Sequence, residues 1–365
     1  MDATALFERL IVGEKLTLPN RLVMAPMTTT AGRPDGSFSQ QEIEYLKRRG
    51  EGGIGLVMTP ACYVHKSGHA FDHQVGCHTD EMLHGLTECA RAINETGAAS
   101  FLQIHHGGNA AKEAYTGEPP WAPSAVHNRR GTSEEPVAMT EEQIQEVIGA
   151  FASGAKRARQ AGFTGIELHG ANTYLLQQFF SPYTNKRSDR WGVATWENRT
   201  RFAIEVTRAV RETVGPDYPM AYRISPEEPD PDGYSTYDAI RLLQDLVDAG
   251  IDIVHVSSWQ YGEGVRYDYP PDSHPTRLIR EALPPSVPVI GVGGISTPED
   301  AMRVLNDGVE LIALGRALLL DAHWARKVRE NRSEEIISTV KSREQLNALD
   351  LPDRMKDYTA RFFLE

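Results

Sequence analysis

What most restricts the fold of this chain is a repeated alternation of short apolar runs with segments of helical periodicity. The apolar runs are Arg21–Pro26, Ile54–Pro60, Ala99–His105, Phe163–His169, Met220–Ser225, Ile251–Ser257, Val287–Val292 and Leu311–Leu314, eight in all. Most are nearly continuous in apolar residues, which suits strands covered on both faces. Between them, Thr140-Glu-Glu-Gln143 is a capping-box signature, followed by Ile144, Val147, Ile148, Phe151 and Ala155 at helical spacing and a stop at Gly162. Segments 195–214, 236–249 and 297–306 behave the same way, the last with Pro298 at its first helical position. Strand then helix, repeated eight times, predicts an α/β chain whose parallel strands close most simply into a (β/α)8 TIM barrel. A doubly wound open sheet is the rival architecture. No low-complexity linker divides the 365 residues, so a single domain over 1–365 is expected, with a charged, helical-looking tail from about 331 to 365. The tail ends in Phe362, Phe363 and Leu364, and either the barrel or a neighbouring subunit could receive it.

Barrel enzymes place their chemistry at the C-terminal ends of the strands. Two connections there are too long to be mere links, 107–139 and 177–194, and the loop 259–274 brings Tyr261, Arg266, Tyr267 and Tyr269 to the same rim. Around the fourth strand, Phe163, Ile166 and Leu168 are followed by His169, Asn172 and Tyr174, with Glu167 just before them. A His and an Asn three apart on an outward turn can aim two donors at one oxygen, and a nearby tyrosine can deliver a proton. The plainer reading is that such residues only satisfy loose backbone groups at a strand end.

Other polar residues fall where a packed core has no use for them: Thr28 and Thr30 after strand one, Gln103 within strand three, and Arg223 in strand five. A buried arginine needs an anion or a polarised ligand oxygen, or else an internal salt bridge with a carboxylate such as Glu167. Gly291–Ile295 and Gly315–Ala317 end strands seven and eight, the recurring phosphate position of barrels, and Arg316 adds a charge there. No lysine ends strand one or two, which weakens a Schiff-base aldolase, and only Glu167, Glu227 and Glu228 are near candidates for a metal. A phosphate-anchored organic cofactor is therefore expected, with no metal.

A net charge of −12, from 38 basic and 50 acidic residues, argues against a nucleic-acid surface or a polybasic membrane patch. No run approaches a membrane span and the first residues lack a signal-peptide pattern, so a cytoplasmic enzyme is expected. Cys62, Cys77 and Cys89 show neither close pairing nor a Cys-x-x-Cys, which predicts reduced, packed thiols.

Five segments, Asn20–Met27, Gly117–Ser124, Ile166–Asn172 continuing through Tyr174–Pro182, Arg187–Gly192 and Glu197–Arg199, together resemble the Old Yellow Enzyme family of FMN-dependent ene-reductases, from about Phe7 to about Asp321. The resemblance implies FMN as cofactor, NADPH or NADH as reductant, and a small-molecule enone or nitro compound as substrate, with a homo-oligomer (dimer or tetramer) among the possible states. It implies that Pro26, Met27, Ala61, Gln103 and Arg223 line the isoalloxazine and that Gly293, Gly294, Gly315 and Arg316 hold the phosphate. Thr28 would hydrogen-bond the flavin C4 carbonyl; His169 and Asn172 would grip the substrate oxygen; Tyr174 would donate the proton. The implied reaction is ping-pong hydride transfer through flavin N5. Residue 30 is Thr where some relatives place Tyr, implying a wider or wetter pocket, and no Cys follows Cys89 to hold the iron–sulfur cluster of larger relatives. Two other readings stay open: a flavin-binding sensor or store, and another phosphate-anchored barrel enzyme.

Overall fold

The structure is a computed structural model that describes residues 2–127, 134–266 and 273–364. Its centre is a ring of parallel strands: β1 Leu22–Met24, β2 Leu56–Met58, β3 Ala99–His105, β4 Gly165–Gly170, β5 Met220–Ile224, β6 Ile253–Ser257, β7 Val289–Val292 and β8 Leu311–Leu314. Each pairs in parallel with the next, and β8 pairs back to β1, so the sheet has no open edge and the open-sheet rival is excluded. Several strands are shorter than the apolar runs that announce them. Residues such as Ile251 and Val287 lie just before their ladders begin, and they stay buried because helices cover the barrel rim.

The helices outside the ring include α1 Gln40–Glu51, α2 Leu83–Asn94, α3 Glu141–Gln160, α4 Trp196–Val214, α5 Thr236–Asp248, α6 Pro275–Ala282, α7 Pro298–Asn306 and α8 Trp324–Arg329. Six of these eight, all but α2 and α8, start at a side chain that takes up a loose backbone N–H group. Thr140 with Gln143, Ser235 with Asp238 and Thr297 with Asp300 form reciprocal capping boxes. Their apolar faces join the outer face of the sheet in one large buried cluster.

A second cluster fills the barrel itself. It combines inward residues of the strands, among them Val23, Leu56, Phe101, Ile253, Ile290 and Leu311, with Val12, Leu16 and Leu18 from the antiparallel hairpin Leu10–Val12/Leu16–Leu18. Gly165 has no side chain because Phe101 occupies the space: a Cβ there would lie 2.5 Å from the Phe101 ring. This apolar filling stops about halfway up. On the β3–β6 side the next inward positions are Gln103, Glu167, His169, Arg223 and His255, all buried and all polar.

The three cysteines are free and buried. The tail folds back on its own chain through α9 Asp353–Phe363, whose Met355 and Thr359 are fully covered. Among the described residues no helix is long and apolar enough to cross a membrane.

Candidate active site

Above the polar half-layer lies a cavity of about 830 Å³, bounded by the C-terminal ends of the strands and the loops that follow them. That size is within the range of pockets that enclose most of an organic ligand. Every site residue expected from the sequence lines it: Pro26, Met27 and Thr28 after β1; Ala61 after β2; Gln103 in β3; His169, Asn172 and Tyr174 in or after β4; Arg223 in β5; Gly293 and Gly294 after β7; Gly315 and Arg316 after β8.

The turn after β4 is built to present side chains. Asn172 and Thr173 both take left-handed backbone angles, φ 58° and 65°, a conformation that Asn tolerates better than most residues. The turn is tied down from behind: Ser225 Oγ accepts the Asn172 N–H at 2.9 Å, and Gln177 Oε1 accepts from Thr173 N–H and Ser225 Oγ. Gln177 in turn donates to Glu228, which also accepts from Ser181 at 2.5 Å. Ser257 Oγ donates to Asn172 Oδ1 at 3.2 Å, so the amide oxygen is occupied and the Nδ2 hydrogens are the donors toward the cavity. At His169 the Ala171 N–H reaches Nδ1 at 3.4 Å, which favours the tautomer with its proton on Nε2. The Tyr174 ring stands edge-on to His169 and to His105, at 4.9 and 4.4 Å between centroids. Burial pushes His105 down to about 3, so that neighbour is a neutral wall.

The floor is more polar than the sequence suggested. Glu167, offered as the salt-bridge partner of Arg223, instead accepts from Gln103 Nε2 and from His255 Nδ1, each at 2.7 Å. Arg223 is buried, and its Nε has no hydrogen-bond partner among the described residues. Burial pulls the guanidinium down from its usual range, opposed by the Glu167 charge. Because Gln103 gives its nitrogen to Glu167, its carbonyl oxygen is the atom left to accept from a ligand. An orphan cationic donor beside an oriented acceptor fits the carbonyl and imide N–H edge of an isoalloxazine.

On the opposite rim the glycines after β7 also make room for the protein's own backbone. Gly293 and Gly294, at φ 136° and 61°, carry no side chain partly because the loop after β6 needs the room. A Cβ on Gly293 would lie 2.5 Å from Tyr261 N, and one on Gly294 would collide with the Gln260 amide. Gly315 is different: among the described residues only Met27 Sδ is nearby, at 3.6 Å, so its open face suits a ligand's approach. Arg316 is exposed and stacks on Trp259, 5.6 Å from its ring centroid.

Thr30 is not part of the cavity lining; its hydroxyl turns back to the Thr29 carbonyl at 2.7 Å. Glu227 accepts from Thr236 and from the Arg266 N–H, which fixes the loop after β6 at the rim. Tyr267 and Tyr269, expected at that rim, lie outside the described residues. The residues that sequence reasoning missed are His255, hidden inside an apolar strand, and the tail side chains Met355, Tyr358 and Phe363, which line the same cavity together with Ile336 and Ile337.

Comparison with known proteins places the chain in a family. The sequence profile of the NADH:flavin oxidoreductase / NADH oxidase family matches residues 5–335. The chain is 36% identical, over 93% of its length and 92% of the relative's, to a probable NADH-dependent flavin oxidoreductase, YqiG, of Bacillus subtilis. It is 36% identical to an NADPH dehydrogenase of Geobacillus thermodenitrificans, over 85% of this chain and 89% of that one. Other relatives are longer, and the chain spans 35% to 50% of their length. In fold it is similar to the Old Yellow Enzyme homologue of Zymomonas mobilis, with a TM-score of 0.81 and 24% identity over 97% of this chain and 99% of that one. The chain belongs to the NADH:flavin oxidoreductase / NADH oxidase family, whose members bind FMN and use NADH or NADPH.

Proposed function

We propose that this oxidoreductase is an ene-reductase acting on the activated C=C bond of α,β-unsaturated carbonyl or nitro compounds. The observation that carries the reading is the turn after β4, which brings His169, Asn172 and Tyr174 to one cavity above the Arg223–Gln103 floor. When bound, FMN supplies the hydride relay, accepting from NADH or NADPH and giving to the substrate at N5.

The protein's part is positioning and charge. His169 Nε2–H and Asn172 Nδ2–H donate to the substrate oxygen, where negative charge grows as the β-carbon accepts hydride. Ser257 and Ser225 hold Asn172 so that this donor needs no reorganisation. Each such donor contributes on the order of 3 kcal/mol in the transition state. Tyr174, fixed edge-on between His105 and His169, delivers its proton to the α-carbon. Gly315 and Arg316 offer an open backbone face and a cation to the phosphate, while Gly293 and Gly294 set the rim beside them. Nicotinamide and enone need the same donors and exclude each other, so parallel-line, ping-pong kinetics follow.

The test is anaerobic stopped-flow absorbance. Purified protein with FMN should be bleached by NADH or NADPH, and the bleached protein should recover its colour within seconds on mixing with 2-cyclohexenone or a nitroalkene. Rapid bleaching with no recovery by either oxidant would leave a nicotinamide-dependent flavoprotein that is not an ene-reductase.

A further inference from the structure

Four neighbouring strands contribute a buried polar chain just beneath the cavity: Gln103 on β3, Glu167 on β4, Arg223 on β5 and His255 on β6. Barrel interiors are ordinarily apolar, and the opposite strands here are apolar at this level, with Val292, Ala313, Ala25 and Met58. Glu167 and His255 have no side-chain exposure and do not line the cavity, so neither touches a ligand. A carboxylate in that position is costly unless the charge is used.

We infer that Glu167 and His255 are positioning residues that set the redox poise of the bound flavin through Gln103 and Arg223. The inference rests on the flavin reading of the cavity and extends it one layer inward.

Two effects of Glu167 are separable. By accepting from Gln103 Nε2 at 2.7 Å, it fixes which end of that amide faces the ligand. By its charge it offsets the Arg223 guanidinium in a region of low dielectric, where such effects reach far. Reduction adds negative charge to the ring system. Arg223 favours that state, and Glu167 moderates the preference. His255 gives Glu167 its second donor, at 2.7 Å; burial holds the imidazole below its usual range, so the group acts as a neutral donor and adds no charge. The register places His255 directly across from Arg223.

Glu167→Gln is the informative variant, because a glutamine keeps an acceptor for Gln103 and can donate to His255 in its other tautomer while removing the charge. In redox titration against a reference dye, the reduced-to-oxidised flavin ratio at a fixed dye potential should rise at least tenfold over wild type, about 30 mV for a two-electron couple. His255→Leu should also move the ratio away from wild type, because Glu167 loses the donor that holds it in place against Gln103 and Arg223. His255→Asn, which restores a donor near the Nδ1 position, should return it toward wild type, and Glu167→Gln/His255→Leu should shift it no further than Glu167→Gln alone. A wild-type ratio in Glu167→Gln overturns the inference. If that variant does not fold, identical ratios in His255→Leu and His255→Asn overturn it instead. Wild-type protein that binds no FMN would remove the flavin reading itself, a different failure from an unmoved potential.

Discussion

Glu42 on α1 is a residue whose environment can be read out by pH. Its side chain is buried, one oxygen accepts from Thr29 Oγ1, and the other has no partner among the described residues. Burial raises the carboxyl from 4.5 to about 7, against the lowering effect of the Thr29 hydroxyl. The folded state thus holds a proton that the unfolded chain gives up near 4.5. This contribution to stability is intact below about pH 4.5, declines as pH rises from 4.5 to 7, and is flat above. Glu42→Gln cannot titrate, so its stability loss between pH 5 and pH 8 should be smaller than wild type's by about 2 kcal/mol in urea unfolding. An unchanged pH slope would mean that Glu42 is solvated. The same hydrogen bond holds Thr29 in place next to Thr28, so this titration lies one residue from the cavity. Tyr174 offers the complementary test at the reacting end. Tyr174→Phe should slow flavin reoxidation by an enone 10- to 10⁴-fold while bleaching by nicotinamide stays within about twofold, since only the former needs a proton from the tyrosine. Equal slowing of both half-reactions would contradict the donor role.

At the scale of elements, what could be read from sequence divides along physical lines. Local signals carried: the Thr140–Gln143 box and Pro298 sit where the helices begin, because capping depends on a few adjacent residues. Strand identity carried as well, but strand ends did not. A buried rim residue such as Val287 is as apolar as a ladder residue, and only the partner strand decides where pairing stops. The polar cavity residues, such as Gln103, His169, Asn172 and Arg223, were legible because polar side chains at strand ends are costly without a purpose, whereas Pro26, Met27 and Ala61 came only from the family resemblance. His255 was not, because Val254-His255-Val256 lies within an apolar strand and inward direction is a property of the register. The glycines after β7 were read as room for a ligand's close approach, and part of that room is taken by the Gln260 loop of the protein itself. A sequence cannot say which surface a glycine makes room for.

On the scale of the whole molecule, the tail is where sequence reasoning stopped, and the reason is long-range packing. The match to the family profile ends at residue 335, yet Ile336, Ile337, Met355, Tyr358 and Phe363 beyond it wall the cavity. Their attachment runs through arginines. Arg49, fully buried on α1, donates to the carbonyls of Tyr45, Leu318 and Asp350 and so joins the first helix, the segment after β8 and the tail. Arg354 on α9 donates to the Thr30 carbonyl and pairs with Asp72, clamping the tail over the loops after β1 and β2. These contacts are within one chain, so the tail closes its own barrel mouth. Ending the chain after Glu335 would remove apolar walls from the cavity and strip Arg49 of one of its acceptors. At about 25 cal/mol per Å² of apolar surface, losing even 60 Å² of ligand contact costs about 1.5 kcal/mol. The truncated protein should therefore bind FMN at least tenfold more weakly, and iodide should quench its flavin fluorescence more steeply than that of the full chain. Wild-type FMN affinity together with unchanged quenching would show that the tail walls a part of the cavity the cofactor does not use.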